Sequence, residues 1–210
     1  MQNYYIAIEG VIGVGKTTLA RLLKPAFEAE ILLEVFEENP FLARFYQDRE
    51  RYAFQTQIFF LLSRFRQQHE AIPAALARGN LISDYTFDKN RIFAALTIGG
   101  DELEMYERVQ DIMADKIPTP NLVVYIRASV DTLMERIALR DRLYERSMDR
   151  LYIEELSGAY DKYFSNFRAA PVLTIETDDL DYIHSAAALN HVADQVRGRL
   201  EESVYQAKLL

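Results

Sequence analysis

The sequence contains no cysteine, so neither a disulfide framework nor a zinc–thiolate site is open to it. It has no Lys/Arg block longer than two residues, and its formal charge is −8. A field of that sign repels nucleic acid and anionic membranes, so neither is expected as a partner. An anionic small molecule must then be held by locally concentrated positive groups. The apolar run 58–62, as long as any, is far too short to span a bilayer. The opening MQNYYIAIEG lacks a basic segment and reaches Glu9 at once, unlike a secretory signal, so a cytoplasmic protein is expected.

The remaining composition is that of an ordinary globular chain. Half of the 210 residues are hydrophobic, and no repeat or linker divides 1–210, so one domain is expected. Five short β-rich runs stand at 4–9, 31–36, 80–84, 122–127 and 172–176. Helical apolar spacing fills about 16–29, 41–78, 87–116, 129–168 and 181–205. Strands of near-continuous Val, Ile and Leu separated by helices predict an α/β fold with a parallel sheet covered on both faces.

Residues 10–17 read Gly-Val-Ile-Gly-Val-Gly-Lys-Thr, with a strand pattern before them and an amphipathic helix pattern after. This matches G-x-x-x-x-G-K-[ST] in the context that gives the motif its meaning. Glycines let the backbone curl so that several N–H groups meet phosphate oxygens at the positive end of a helix dipole. An ATP site is expected at Gly10, Gly13, Gly15, Lys16, Thr17 and Thr18, with Lys16 on the β- and γ-phosphates and Thr17 on Mg²⁺. Neither N-K-x-D nor D-x-x-G occurs, which argues against a GTPase switch. A chain of this size has no room for the machinery of a large motor, which leaves a small-molecule kinase.

Such a kinase needs an acid beside Mg²⁺, a base for the accepting hydroxyl, cations over the γ-phosphate and an acceptor pocket. Asp84 ends the third strand pattern and is the expected acid, because open parallel sheets bind ligands at their carboxyl ends. A plain helix cap would look the same in sequence. Glu34 ends the second strand pattern and is the candidate base, with Glu37 and Glu38 competing for the role. Arg136, Arg140, Arg142 and Arg146 form the cation cluster. The first two lie at i, i+4, where like charges repel by a few tenths of a kcal/mol unless an anion lies between them. Glu135, Asp141 and Glu145 offer ordinary ion pairs instead. Gln57 and Arg64, two helical turns apart in an aromatic stretch downstream of Tyr46, suit a nucleobase edge, unless they satisfy each other.

With these residues assembled, the chain resembles the deoxyribonucleoside kinases over almost its whole length, most of all the short bacterial purine-specific members. The segments carrying the resemblance are IAIEGVIGVGKTTLA, LEVFEENPFLARFYQDRERYAFQTQIFFLLSRFRQ, LISDYTFDKNRIF, NLVVYIRAS and LMERIALRDR. It implies a doubly wound P-loop kinase fold of five parallel strands with an arginine-rich lid. It also implies transfer of the ATP γ-phosphate to a deoxynucleoside 5′-hydroxyl, with Mg²⁺, by a homodimer. The resemblance assigns the base to Glu34 and the sugar clamp to Tyr46 and Glu145. It assigns base reading to Gln57 and Arg64, acceptor contact also to Asp84, and phosphate contact to Arg136, Arg140 and Arg142.

Three departures from the family pattern stand out, the third involving two residues. Val35 replaces a proline, and Asp141 interrupts an Arg-Gly-Arg segment with a negative charge. Tyr85 replaces an arginine, while Asn90 stands where an aspartate often faces the nucleobase. An aspartate only accepts, which suits the exocyclic amine of adenine or cytosine. An asparagine amide also donates, and so can serve guanine O6. The expectation is therefore a purine acceptor with deoxyguanosine favoured, deoxyadenosine or a broader deoxynucleoside range being the alternative. A nucleoside monophosphate kinase and a silent nucleotide-binding module are the remaining readings.

Overall fold

In a computed structural model of the chain, which describes residues 3–207 and side chains as far as 203, the uninterrupted apolar runs form the inside of one sheet. β1 (Tyr5–Glu9) is buried along its whole length, as a central strand covered on both faces must be. It pairs in parallel with β3 (Asn80–Ser83) on one side and with β4 (Leu122–Arg127) on the other. The edges are β2 (Ala29–Leu32) and β5 (Val172–Glu176), and the order is β2-β3-β1-β4-β5, parallel throughout. From β1 the chain crosses to the edge at β2, returns to β3 and then passes β1 to build β4 and β5, so its order reverses between β1 and β3. The crevice beyond the carboxyl ends of those two strands is where an open α/β sheet takes its ligand.

The helical patterns are more divided than expected. α1 (Lys16–Leu23) is followed by a turn that leads into β2. The stretch 41–78 splits into α2 (Leu42–Gln47) and α3 (Arg49–Leu76) at Asp48, whose carboxylate accepts from the Arg51 N–H. The stretch 87–116 splits at Gly99-Gly100 into α4 (Lys89–Thr97) and α5 (Gly100–Ala114). The stretch 129–168 splits into α6 (Val130–Arg140) and α7 (Arg150–Ser165), separated by the 3-10 turn Leu143–Glu145. There Asp141 takes φ +50°, the left-handed conformation that ends helices. α8 (Ala186–Ala207) closes the fold.

The second strand is also shorter than its apolar pattern. Its only neighbour among the described residues is β3, and the last paired residues are Leu32 and Ser83. With no partner beyond that point the backbone leaves the sheet, so Glu34 sits in a loop two residues past β2 rather than at the strand's end.

Leu19, Ala20 and Leu23 on α1 pack with Ile6 and Ile8 of β1, all fully buried. Each of these leucine and isoleucine side chains contributes about 1.5–3 kcal/mol of transfer free energy. This packing presses the start of α1 against the end of β1 and fixes the loop between them. No helix among the described residues is long and apolar enough to cross a membrane. The expected domain 1–210 and the MQNYYIAIEG segment include residues 1, 2 and 208–210, which lie outside the described residues.

Candidate active site

Gly10, Gly13 and Gly15 have φ +151°, +87° and +103°, the region L side chains avoid. Space closes two of these positions as well. A Cβ on Gly10 would lie 2.3 Å from the Ile126 carbonyl oxygen, and one on Gly13 would lie 2.9 Å from that of Leu133. The loop is therefore wedged between β4 and α6, and it delivers Lys16 and Thr17 to the first turn of α1. Lys16 Nζ donates to the carbonyls of Gly10 (2.6 Å) and Val11 (3.0 Å). Burial, reinforced by the charge of Lys89, pushes this amine down to about 8. The Thr17 hydroxyl donates to Asp84 Oδ2, so the oxygens after β1 and β3 converge on one point. Asp84 Oδ1 accepts from the Glu34 backbone N–H (2.8 Å) and ties the third element of the site to the first two.

The Glu34 carboxylate is held on both oxygens. Oε1 accepts from Arg64 Nε (2.8 Å) and Nη2 (2.6 Å), and Oε2 accepts from Lys89 Nζ (2.6 Å). All three side chains are at most 10% exposed. Burial alone would raise the Glu34 carboxyl, but Lys89 and Arg64 outweigh it and hold the group well below the usual carboxylate range. Glu37 and Glu38, the competing acids, are exposed.

Two amides behind this centre have orientations set by their neighbours. Arg64 Nη1 donates to Asn90 Oδ1 (2.5 Å). A guanidinium only donates, so the Asn90 oxygen must face Arg64. Asn90 is fully buried, and its Nδ2 has no hydrogen-bond partner among the described residues. It sits against Arg64 and is not among the residues that line the cavity, where its amide was expected to meet the base. Gln57 Nε2 donates to Thr97 Oγ1 (3.1 Å), whose own proton goes to the Phe93 carbonyl (2.7 Å). Thr97 can therefore only accept from Gln57. That fixes Gln57 Oε1 as a buried acceptor without a protein partner, in a residue that lines the cavity.

One cavity of about 1030 Å³ joins the phosphate loop to Glu34, Gln57 and Arg64. Tyr46 lines it and stacks on Tyr144 with centroids 5.9 Å apart. Phe60 lies under the Arg64 guanidinium at 4.4 Å. Arg140 donates to Glu145 Oε2 (2.5 Å from Nη2), and Arg142 lies 3.6 Å from the same buried carboxylate and 4.0 Å over the Phe36 ring. Arg136 differs from the other two. It donates to the carbonyls of Val14 (3.1 Å) and Thr177 (2.8 Å), clipping the phosphate loop to the chain after β5. Asp141, the negative charge that departs from the family pattern, is exposed and paired with Arg146 at 2.7 Å.

Sequence reasoning missed Lys89 and Glu9. Glu9 is fully buried; its Oε1 accepts from the Thr86 N–H (2.7 Å) and its Oε2 from the Gly10 N–H (3.1 Å). It thus staples the loops after β1 and β3 together. A carboxylate in an otherwise apolar strand, immediately before the phosphate loop, was a readable signal. Lys89 carried none beyond its closeness to Asp84. Tyr85, in place of an arginine, is not among the residues lining the cavity: its hydroxyl donates to Gln67 Oε1, and Gln67 Nε2 donates to the Leu33 carbonyl (2.8 Å). It braces the loop that carries Glu34.

A glycine loop at the head of a parallel sheet, a hydroxyl and a carboxylate converging beside it, and a cavity lined by charged and aromatic side chains across the strand ends together define a P-loop kinase fold. The sequence model of the deoxynucleoside kinase family matches residues 6–201. Deoxyguanosine kinase of Bacillus subtilis is 35% identical, covering 92% of this chain and 96% of the relative. Deoxyadenosine/deoxycytidine kinase of the same organism is 29% identical, covering 96% and 95%. Among solved structures, deoxyadenosine kinase from M. mycoides with bound dATP has the same fold, with TM-score 0.79 at 23% identity, over 93% of this chain and all of that one. The chain belongs to the deoxynucleoside kinase family, and it is a phosphotransferase acting on deoxynucleosides.

Proposed function

We propose that the chain transfers the γ-phosphoryl group of ATP to the 5′-hydroxyl of a purine deoxynucleoside, with deoxyguanosine preferred. The observation that carries this reading is the pattern of unused polar groups around Arg64. Three of its five N–H donors are engaged by Glu34 and Asn90, which leaves one on each terminal nitrogen. Two parallel donors match guanine O6 and N7, the commonest arginine–base geometry. Gln57 Oε1 supplies the complementary acceptor for the guanine ring N–H. Adenine would set its amino group against the arginine donors, and an unmet buried pair of that kind costs about 1–3 kcal/mol. Among the relatives the names include guanine, adenine and cytosine nucleosides, so names alone do not choose the base.

In this reading the 5′-hydroxyl takes the place of Lys89 on Glu34 Oε2, while Arg64 keeps Oε1. Lys16 leaves the loop carbonyls for the β- and γ-phosphates. Arg140 and Arg142 exchange Glu145 for phosphate oxygens, which frees Glu145, with Tyr46, for the 3′-hydroxyl. Arg136 holds the phosphate loop in place. Mg²⁺ would be held by Thr17 Oγ1 and Asp84, a hydroxyl and a carboxylate, hard oxygen donors of the kind this ion takes. Among the described residues no cluster of three acidic or histidine groups would cage a metal, which suits an ion completed by phosphate and water. When bound, the ion neutralises charge across the β- and γ-phosphate oxygens.

An acceptor panel with the purified protein tests the reading, using the four deoxynucleosides together with dGMP and dTMP. The expected kcat/KM for deoxyguanosine exceeds that for deoxyadenosine about tenfold or more, from the mismatch cost above. A preference for deoxyadenosine or deoxycytidine overturns the base assignment. Faster turnover of dGMP than of deoxyguanosine overturns the nucleoside assignment in favour of a monophosphate kinase. The proposal extends to a homodimer, supported by exposed Leu62 on α3 and exposed Met105 and Ile112 on α5, two helices that pack together. Light scattering is expected to give twice the mass of the 24.3 kDa chain, and a monomer at micromolar concentration refutes it.

A further inference from the structure

We propose that Lys89 is a positioning residue for the transfer: it holds Glu34 Oε2 as the ionised acceptor of the 5′-hydroxyl, between the nucleoside pocket and the phosphate loop. The inference rests on the reading of Glu34 as the group that receives the hydroxyl proton. Lys89 opens α4, is 7% exposed, and lines the same cavity as Lys16 and Glu34. Its ammonium makes one hydrogen bond among the described residues, the 2.6 Å contact to Oε2, and passes 5.6 Å from the Phe93 ring. Two of its three N–H donors are therefore left for an incoming oxygen.

Oε1 is taken twice by Arg64, so Oε2 is the only carboxylate oxygen a hydroxyl can approach. The groups facing this carboxylate are Arg64 from α3, Lys89 from α4, Lys16 from the phosphate loop, Asp84 and Tyr85 after β3, and Tyr160 from α7; Glu9, at the end of β1, faces Lys89 and Lys16. Among them Lys89 alone bonds Oε2. Its charge is also the strongest single charge acting on Lys16 and on Glu9, which puts it close to both halves of the site. When the hydroxyl displaces it from Oε2, the ammonium stays beside the oxygen on which negative charge builds.

The test compares wild type with K89M, K89R and E34Q, measuring kcat and KM for deoxyguanosine and ATP across pH. K89M is expected to lose about 30–300-fold in kcat while either KM moves less than about threefold, because the group lost acts in the transfer step. With one cation gone, the Glu34 carboxyl is held down less firmly, so K89M loses activity on the acid side where wild type is still level. K89R is expected to restore the level acid side and most of kcat. If K89M matches wild type in kcat and pH profile while E34Q is inactive, the role of Lys89 is refuted and that of Glu34 stands. If E34Q turns over like wild type, Glu34 itself is wrong and the inference falls with it. Circular dichroism melting checks folding. Where K89M does not fold, K89R decides: near-wild-type kcat with a level acid side supports the role, and a loss as deep as that of E34Q refutes it.

Discussion

Glu34→Gln is expected to lower kcat about 10³-fold while the affinity for ATP changes little, the loss being that of a positioned proton acceptor. The substitution keeps the shape of the side chain and removes only its charge. Arg64 and Lys89 then face an amide, one end of which is a donor that cannot accept from either cation. Breaking a buried pair in this way costs about 3–5 kcal/mol of stability, because the remaining charges are left uncompensated. For a domain of this size that is about 6–20 °C in Tm. The stability effect has a predictable sign with pH. The folded carboxyl is held below its ordinary value, so its contribution is present above the unfolded value of about 4.3 and is lost as pH falls through the lower folded value. The Tm gap between wild type and E34Q is therefore widest near neutrality and narrows in acid. ADP release with deoxyguanosine, ATP calorimetry and melting curves check the three parts, and a kcat within tenfold of wild type would sink the assignment.

The second large effect belongs to Lys16. Lys16→Met is expected to lower kcat/KM about 10²–10³-fold, the range for loss of one preorganised charge-stabilising donor. A distinct signature accompanies it. With burial holding the amine near 8, about half of the ligand-free protein is neutral at this position at pH 8. Polyphosphate beside the amine favours its charged form, so ATP binding takes up about half a proton at pH 8 and about a tenth at pH 7. The observed binding enthalpy at pH 8 should then vary with the ionisation heat of the buffer, and K16M should lose most of that variation. Equal uptake in K16M would show that another group titrates.

The phosphate loop was legible because everything that specifies it is contiguous. Three glycines, a lysine and a threonine stand within eight residues, and the positive φ values those glycines adopt are conformations the sequence could only have spelled with glycine. The five strands were legible for a related reason, since burial on both faces writes itself as uninterrupted apolar residues. Where helices stop was less so. Asp48 starts α3 through a side-chain bond and Asp141 ends α6 in a left-handed turn, neither of which periodicity records. The length of β2 was not local information at all, because it depends on where its neighbour β3 stops.

Within the candidate site, residue identities came from the sequence and from its resemblance to the kinases, but their partners did not. Arg64 and Asn90 were both expected at the base; folding bonds one to the other and leaves Asn90 off the lining of the cavity, a contact no local pattern records. Arg136, grouped with three other arginines by spacing, is taken by backbone carbonyls brought to it from the phosphate loop and from beyond β5. Lys89 lies 55 positions from Glu34, and nothing in either local pattern names the other. A buried charge takes whichever opposite charge the packed elements bring within reach, since leaving it unpaired is costly. By itself the sequence determined the sheet, the phosphate loop and the chemical inventory of the site. Only the tertiary structure decided which cation holds which oxygen, because that choice is made by elements that meet across the crevice between β1 and β3.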